Sequence, residues 1–383
     1  MGILRLLLAL SVVFGHSQTA LSPYVELPSA FVAVNVFFII SGFYMSMVLN
    51  TKYVGIPVRK FYSGRALRLA PVYFIGLLLM LLVSWKDIFG FFQSLTGISQ
   101  AFFLTSNLFI AGQDLPYVLC FPTSNGDCAY PSAMTINPVS WSLALEVGFY
   151  LLAPYVVTRP KRLYLFIFIG LFYQVAIRFL TSPAEGVFGI FQRDFDQWRY
   201  FFYPSSFVFF GLGALAYLFS TGKIKIKLWQ VITLIPLLFL SSTNIPSWQL
   251  ILICLAIPLL FKISKESKID RFIGELSYPV YIFHFAILIA IEKVVAIYPW
   301  LFEYVQKGFW VAGIAIIASI LTVKFVENRV NSYRGSALSM TQKEINNKSI
   351  KFQTLWKSCR WTYGVIYFVF PFALITYVFI SQQ

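Results

Sequence analysis

Ten or eleven long apolar runs, separated by short polar stretches, constrain this chain more than any other feature. They fall at about 3–20, 31–49, 69–86, 138–157, 162–180, 202–220, 228–243, 247–263, 275–297, 308–327 and 361–380. Each approaches the roughly 20 residues that a helix needs to cross a bilayer core ~30 Å thick. Backbone groups in lipid find no water to bond, so runs of this kind must be helical. The pattern predicts an all-α fold, a polytopic transmembrane helical bundle of about ten core helices plus one C-terminal helix. Composition agrees: 58% of the 383 residues are hydrophobic and only 12% are charged, where a soluble domain carries about a quarter.

The stretch 98–111 is apolar but short, and reads as a re-entrant or interfacial helix. Residues 3–17 carry one basic residue, Arg5, and no small-x-small cleavage pattern, so they read as a retained helix and not a signal peptide. The expected organisation is a membrane domain over 1–329, a basic segment over 330–360 and an additional membrane helix within 361–383.

A net charge of +15 would suggest nucleic acid in a soluble protein. Here the charge lies between the apolar runs, where it sets orientation, so nucleic acid is not an expected partner. With the N-terminus cytoplasmic, 24 of the 30 Lys and Arg residues fall on the inner side. The exceptions are Lys86, Arg178, Arg193, Arg199, Lys293 and Lys307. Counting 98–111 as a crossing would destroy this asymmetry. Cys120 and Cys128 fall in the long outer loop over 112–137, where an oxidising compartment allows them a disulfide. Cys254 and Cys359 read as packing residues. No heptad, internal repeat, zinc spacing or phosphate-cradling glycine loop is present, and no metal site is expected.

An ionisable group in hydrocarbon is costly unless it faces protein or water. The chain has two histidines, His16 and His284, and both lie in apolar runs, as does Glu146. A rise of 1.5 Å per residue puts His16 roughly 20 Å from the inner face, Glu146 about 12 Å from the outer one and Ser41 near the middle. The same arithmetic puts His284 nearer the cytoplasm, about 13 Å deep. Arg5 and His16, eleven positions apart, return to within about 20° of one helix face. Arg65 and Arg68 share a face at i, i+3, which suits bidentate phosphate recognition and equally suits a positive-inside anchor. For His16, Glu146 and His284, an interhelical hydrogen bond competes with catalysis, and spacing leaves both open.

These residues sit in four segments that together resemble the bacterial acyltransferase 3 superfamily, integral membrane enzymes that O-acetylate lipopolysaccharide, exopolysaccharide and related glycans. Arg5 and His16 are followed by Asn35-Val36-Phe37-Phe38-Ile39-Ile40-Ser41-Gly42-Phe43, similar to the family's FFxxSGF helix. Arg65, Arg68 and Pro71 match its R-x-x-R-l-x-P loop. Ser140-Trp141-Ser142-Leu143-Ala144-Leu145-Glu146-Val147-Gly148-Phe149-Tyr150 resembles WSLxxExxFY, and Leu276-Ser277-Tyr278-Pro279-Val280-Tyr281-Ile282-Phe283-His284 resembles LSYxxYLxH. The match runs from Arg5 to about Arg329. The SGNH-type outer domain of some members is not expected, and the tail from 330 matches nothing assigned.

The resemblance implies an O-acyltransferase of the bacterial inner membrane that uses cytosolic acyl-CoA, acetyl-CoA in the first instance, as a co-substrate and holds no permanent cofactor. His16 would be the catalytic base, with Glu146 orienting it or sharing its proton, and Ser41 lining the chamber. Arg65, Arg68 and Arg5 would hold the donor phosphates, with Tyr281, His284, Asn35 and Trp141 in support. Neutral imidazole suits base catalysis near pH 7, and Ser41 or a backbone N–H near Gly42 could serve the oxyanion. Direct transfer and an acyl-histidine both fit. The acceptor, a polysaccharide or lipid-linked glycan, would meet the outer aromatic and acidic stretch from Phe191 to Trp198, which fits an interfacial belt as well. The rival reading is a transporter or flippase for a lipid-linked glycan, although no pair of related halves with broken helices is visible.

Overall fold

The computed structural model describes residues 1–332 apart from 22–25, 181–194, 226, 242–244 and 303–304. The expected helix at 361–380, the basic segment from 333 onward, Cys359 and residues 191–194 of the aromatic and acidic stretch lie outside the described residues. Within the described residues twelve α-helices follow in chain order: α1 (Gly2–His16), α2 (Ala30–Leu49), α3 (Val58–Ser94), α4 (Gly97–Phe109), α5 (Ser140–Val156), α6 (Pro160–Leu180), α7 (Phe195–Phe201), α8 (Tyr203–Ser220), α9 (Leu228–Leu240), α10 (Ser247–Ser264), α11 (Lys268–Ile297) and α12 (Lys307–Thr322). Among the described residues there is no strand beyond two isolated bridges beside Thr123 and Cys128. Among the described residues, seven helices are long and apolar enough to cross a membrane, and α1 and α9 are shorter apolar helices. The protein is a multi-pass all-α membrane bundle.

Helix ends depart from the apolar runs in both directions. α1 stops at His16 because Gln18 takes a left-handed backbone (φ 50°), where the run continued to 20. α3 starts at Val58 and spans 37 residues, with a break in helical geometry at Ser84, where the run covered only 69–86. Arg65 and Arg68 therefore sit on a helix, not in a loop. α11 starts at Lys268, capped by the Ser267 hydroxyl accepting from the Asp270 N–H at 3.1 Å, seven residues before the run at 275. Hydropathy marks the part of a helix in contact with lipid, whereas backbone hydrogen bonding carries the helix on into polar surroundings.

Two close helix pairs organise the bundle. α2 and α8 approach through reciprocal glycines: a Cβ on Gly42 would overlap the Phe210 carbonyl, and one on Gly213 the Ile39 carbonyl. Without a hydrophobic drive between helices in lipid, such small-residue contacts are what let backbones pack. α1 and α11 run parallel, with Gly2 against Asp270 and Gly274 at one end and His16 against His284 at the other. The Asp270 carboxylate caps α1, accepting from the N–H groups of Gly2 and Ile3 at 2.7 and 3.0 Å. Seven helices besides α4 and the short α7 lie between these two in the chain, α2, α3, α5, α6, α8, α9 and α10, and one crossing by each would leave α1 and α11 parallel. A further crossing by α4 would make α1 and α11 antiparallel. α4 has 13 residues, about 20 Å of rise. It packs instead under a loop closed by a disulfide between Cys120 and Cys128, whose Cα atoms are 5.0 Å apart. Thr96 and Ser99 tie this loop down through the Pro122 carbonyl.

Candidate active site

A cavity of about 500 Å³ opens between α1, α2, α3, α5, α10 and α11. Its α2 wall runs from Val48 to Val34, 14 residues or about 21 Å of helix. Arg5, Arg65 and Arg68 line the end near the start of α1, Ser41, Glu146 and Tyr150 line the middle, and Phe37, Ser142 and Tyr281 line the far end. Arg65 is 9% exposed. Its guanidinium lies over the rings of Phe61 and Tyr150 at 5.7 and 5.9 Å, and its Nε has no hydrogen-bond partner. A cation held this way between aromatic faces, with its fork toward a cavity, is ready for an anion.

In the middle of the cavity the Glu146 carboxylate accepts on one oxygen from two hydroxyls. Ser41 Oγ donates at 2.5 Å, and Tyr150 donates from one turn along α5. Glu146 therefore orients Ser41 and Tyr150 and not His16, and the Ser41 proton is already engaged, so Ser41 does not supply a free oxyanion donor. Gly42 is a packing residue against α8, inside α2, and its N–H is not offered to the cavity.

His16 has a different partner. Its Nδ1 lies 2.8 Å from His284 Nε2, with the rings stacked at 5.1 Å between centroids. His284 is fully buried, and its Nδ1 lies 2.6 Å from the Tyr281 carbonyl oxygen. His16, at the end of α1 opposite to Arg5, is exposed and does not line the cavity. Tyr281 joins the two regions: its ring lines the cavity, packs on Phe37 at 6.2 Å and lies 5.9 Å from the His284 ring. The sequence estimate placed His284 too shallow because it began α11 at 275. Counted from Lys268, His284 is 16 residues in, about 24 Å, against about 21 Å for His16 counted from Gly2.

The family model described as an acyltransferase domain, that of acyltransferase 3, matches residues 1–326. The chain belongs to this acyltransferase family. No curated protein and no solved structure matches it. In this acyltransferase, then, the residues of the four sequence segments converge on one region. Arg5, Arg65, Arg68, Ser41, Glu146 and Tyr281 share the cavity, and His16 and His284 form a pair beside its far end.

Two of the expected supporting residues do something else. Asn35 is buried in α2 away from the cavity lining. Trp141 packs among Tyr117, Tyr200 and Phe201 at 4.5 to 6.4 Å, anchoring the disulfide loop over the bundle. Ser142 and Tyr150, in contrast, line the cavity of the acyltransferase without having been singled out. Ser142 Oγ lies 2.7 Å from the Tyr281 hydroxyl. The signal was present: Ser142, Glu146 and Tyr150 repeat at i, i+4 and i+8, one polar stripe on an otherwise apolar helix.

Proposed function

We propose that this acyltransferase moves an acyl group, acetyl in the simplest case, from acyl-CoA to a hydroxyl of a cell-surface polysaccharide or lipid-linked glycan. The chain would lie in a bacterial inner membrane with its N-terminus inside, in keeping with the distribution of Lys and Arg, so that the arginines meet the cytosol. One observation carries the reading: a cavity about 21 Å long leads from Arg5, Arg65 and Arg68 to Tyr281, whose backbone carbonyl accepts from His284 of the histidine pair. Arg5, Arg65 and Arg68 would hold the phosphates of the donor, and the acyl-bearing arm would extend along α2 past Ser41 and Glu146. The acceptor would arrive on the exposed side of His16.

His16 takes the proton of the attacking hydroxyl as its oxygen bonds to the thioester carbonyl carbon. The C–S bond then breaks, and the departing thiolate recovers the proton from the imidazolium. The test is labelled acetyl-CoA with purified protein in liposomes and an acceptor glycan, following CoA release and label transfer. His16→Ala is expected to abolish both while inserting normally. Transfer at the wild-type rate by that variant removes His16 as the base, and movement of glycan without CoA release would favour a flippase.

A further inference from the structure

The two hydrogen bonds of the histidine pair specify where its protons sit. The Tyr281 carbonyl oxygen only accepts, so His284 Nδ1 at 2.6 Å must carry a proton. Were that nitrogen bare, two lone pairs would face each other at hydrogen-bond distance. A doubly protonated His284 would be a fully buried charge, with no carboxylate hydrogen-bonded to it among the described residues, and such a charge is costly. A neutral His284 therefore has a bare Nε2. The nitrogen facing it at 2.8 Å, His16 Nδ1, must then be the donor. That leaves the lone pair of His16 on Nε2.

We propose that His284 is a positioning residue that holds His16 in the Nδ1–H tautomer, so that Nε2 is the basic atom. This rests on the reading of His16 as the base and names the atom and the residue that sets it. The geometry is over-determined. Parallel α1 and α11 bring both rings to one depth, and Phe285 lies edge-on to both at 5.8 and 6.3 Å. When His16 Nε2 takes the acceptor's proton, the His16 Nδ1–H bond to His284 becomes charge-assisted and strengthens, as a carboxylate would make it, without a buried negative charge. An acceptor at Nδ1 commonly fixes the imidazole tautomer in metal and hydrolase sites. Here a second imidazole, itself set by a backbone carbonyl, takes that place.

The chain contains only these two histidines, which allows a test without turnover. Protein labelled with ¹⁵N-histidine, purified through a tag free of histidine and returned to lipid, should show by solid-state NMR two neutral rings. Both should carry hydrogen on Nδ1 and a bare Nε2. A His16 ring protonated on Nε2, or a cationic His284, overturns the proposal. Activity gives the second test. His284→Gln returns an acceptor oxygen to the position of Nε2 and is expected to keep kcat within about tenfold. His284→Phe fills the space without an acceptor and should lower kcat by roughly 10²–10⁴ with the KM for acyl-CoA unchanged. Equal kcat values for the two folded variants would sink the positioning role. Should His16→Ala stay active while the NMR result holds, the base assignment fails and the tautomer assignment stands.

Discussion

Removing the Arg65 guanidinium is expected to weaken acyl-CoA without slowing the acyl transfer step. The side chain is 9% exposed, its Nε is unpartnered, and it is held over Phe61 and Tyr150. Most of its desolvation is therefore complete before the donor arrives. A charge-assisted hydrogen bond contributes about 1.5–3 kcal/mol, and prior desolvation argues for the upper end. Arg65→Ala should then lose about 3 kcal/mol, or roughly 10²-fold in the KM for acyl-CoA. Arg65→Lys keeps the charge but not the planar fork, and should lose about half of that, roughly tenfold. The assay is initial-rate CoA release over a range of acetyl-CoA, repeated with acetyl-pantetheine, which has no phosphates. With the short donor, wild type and both variants should share one KM, and kcat should be unchanged throughout. A KM shift below threefold for acetyl-CoA, or an equal shift with acetyl-pantetheine, would refute a phosphate contact at Arg65.

Two predictions concern the scaffold. Gly42→Ala with Gly213→Ala should force α2 from α8 and cost about 1–3 kcal/mol, read as a lower midpoint in fluorescence-detected size exclusion after heating. Gly90→Ala, where a Cβ meets nothing, should leave the midpoint unchanged or raise it by restoring helix propensity. Replacing Cys120 and Cys128 with Ala opens a short loop, the two positions being 8 apart, and should destabilise the cap on α4 by about 2.5 kcal/mol on the chain-entropy scale. Faster proteolysis within 112–137 is the expected readout, and a rate equal to that of wild type would count against the disulfide as a clamp.

The all-α membrane bundle was legible in the sequence because lipid exposure writes itself as long apolar runs, although only seven helices among the described residues are long and apolar enough to cross. The helix ends were not legible, since α3 and α11 continue for seven residues or more into polar sequence. That offset alone hid the match in depth between His16 and His284. The cavity side of α5 was legible as a polar stripe at every fourth residue, although only Glu146 was taken from it. What local pattern does not carry is partner choice. Ser41 bonds Glu146 across 105 positions, and His16 bonds His284 across 268. Both depend on which helices come to lie side by side. Trp141 and Asn35 show the reverse: each belongs to a segment rich in functional residues, yet one packs an aromatic cluster and the other lies buried in α2.

The pairing of α1 with α11 has a consequence for biogenesis. After α1 leaves the ribosome, more than 250 further residues follow before the neighbour that pairs with it emerges. Until then its imidazole has no fixed proton and its polar face has no permanent companion. Contacts so distant along a chain make assembly slow. They also mean that no partly inserted chain carries the His16–His284 pair, which exists only once α11 has joined α1.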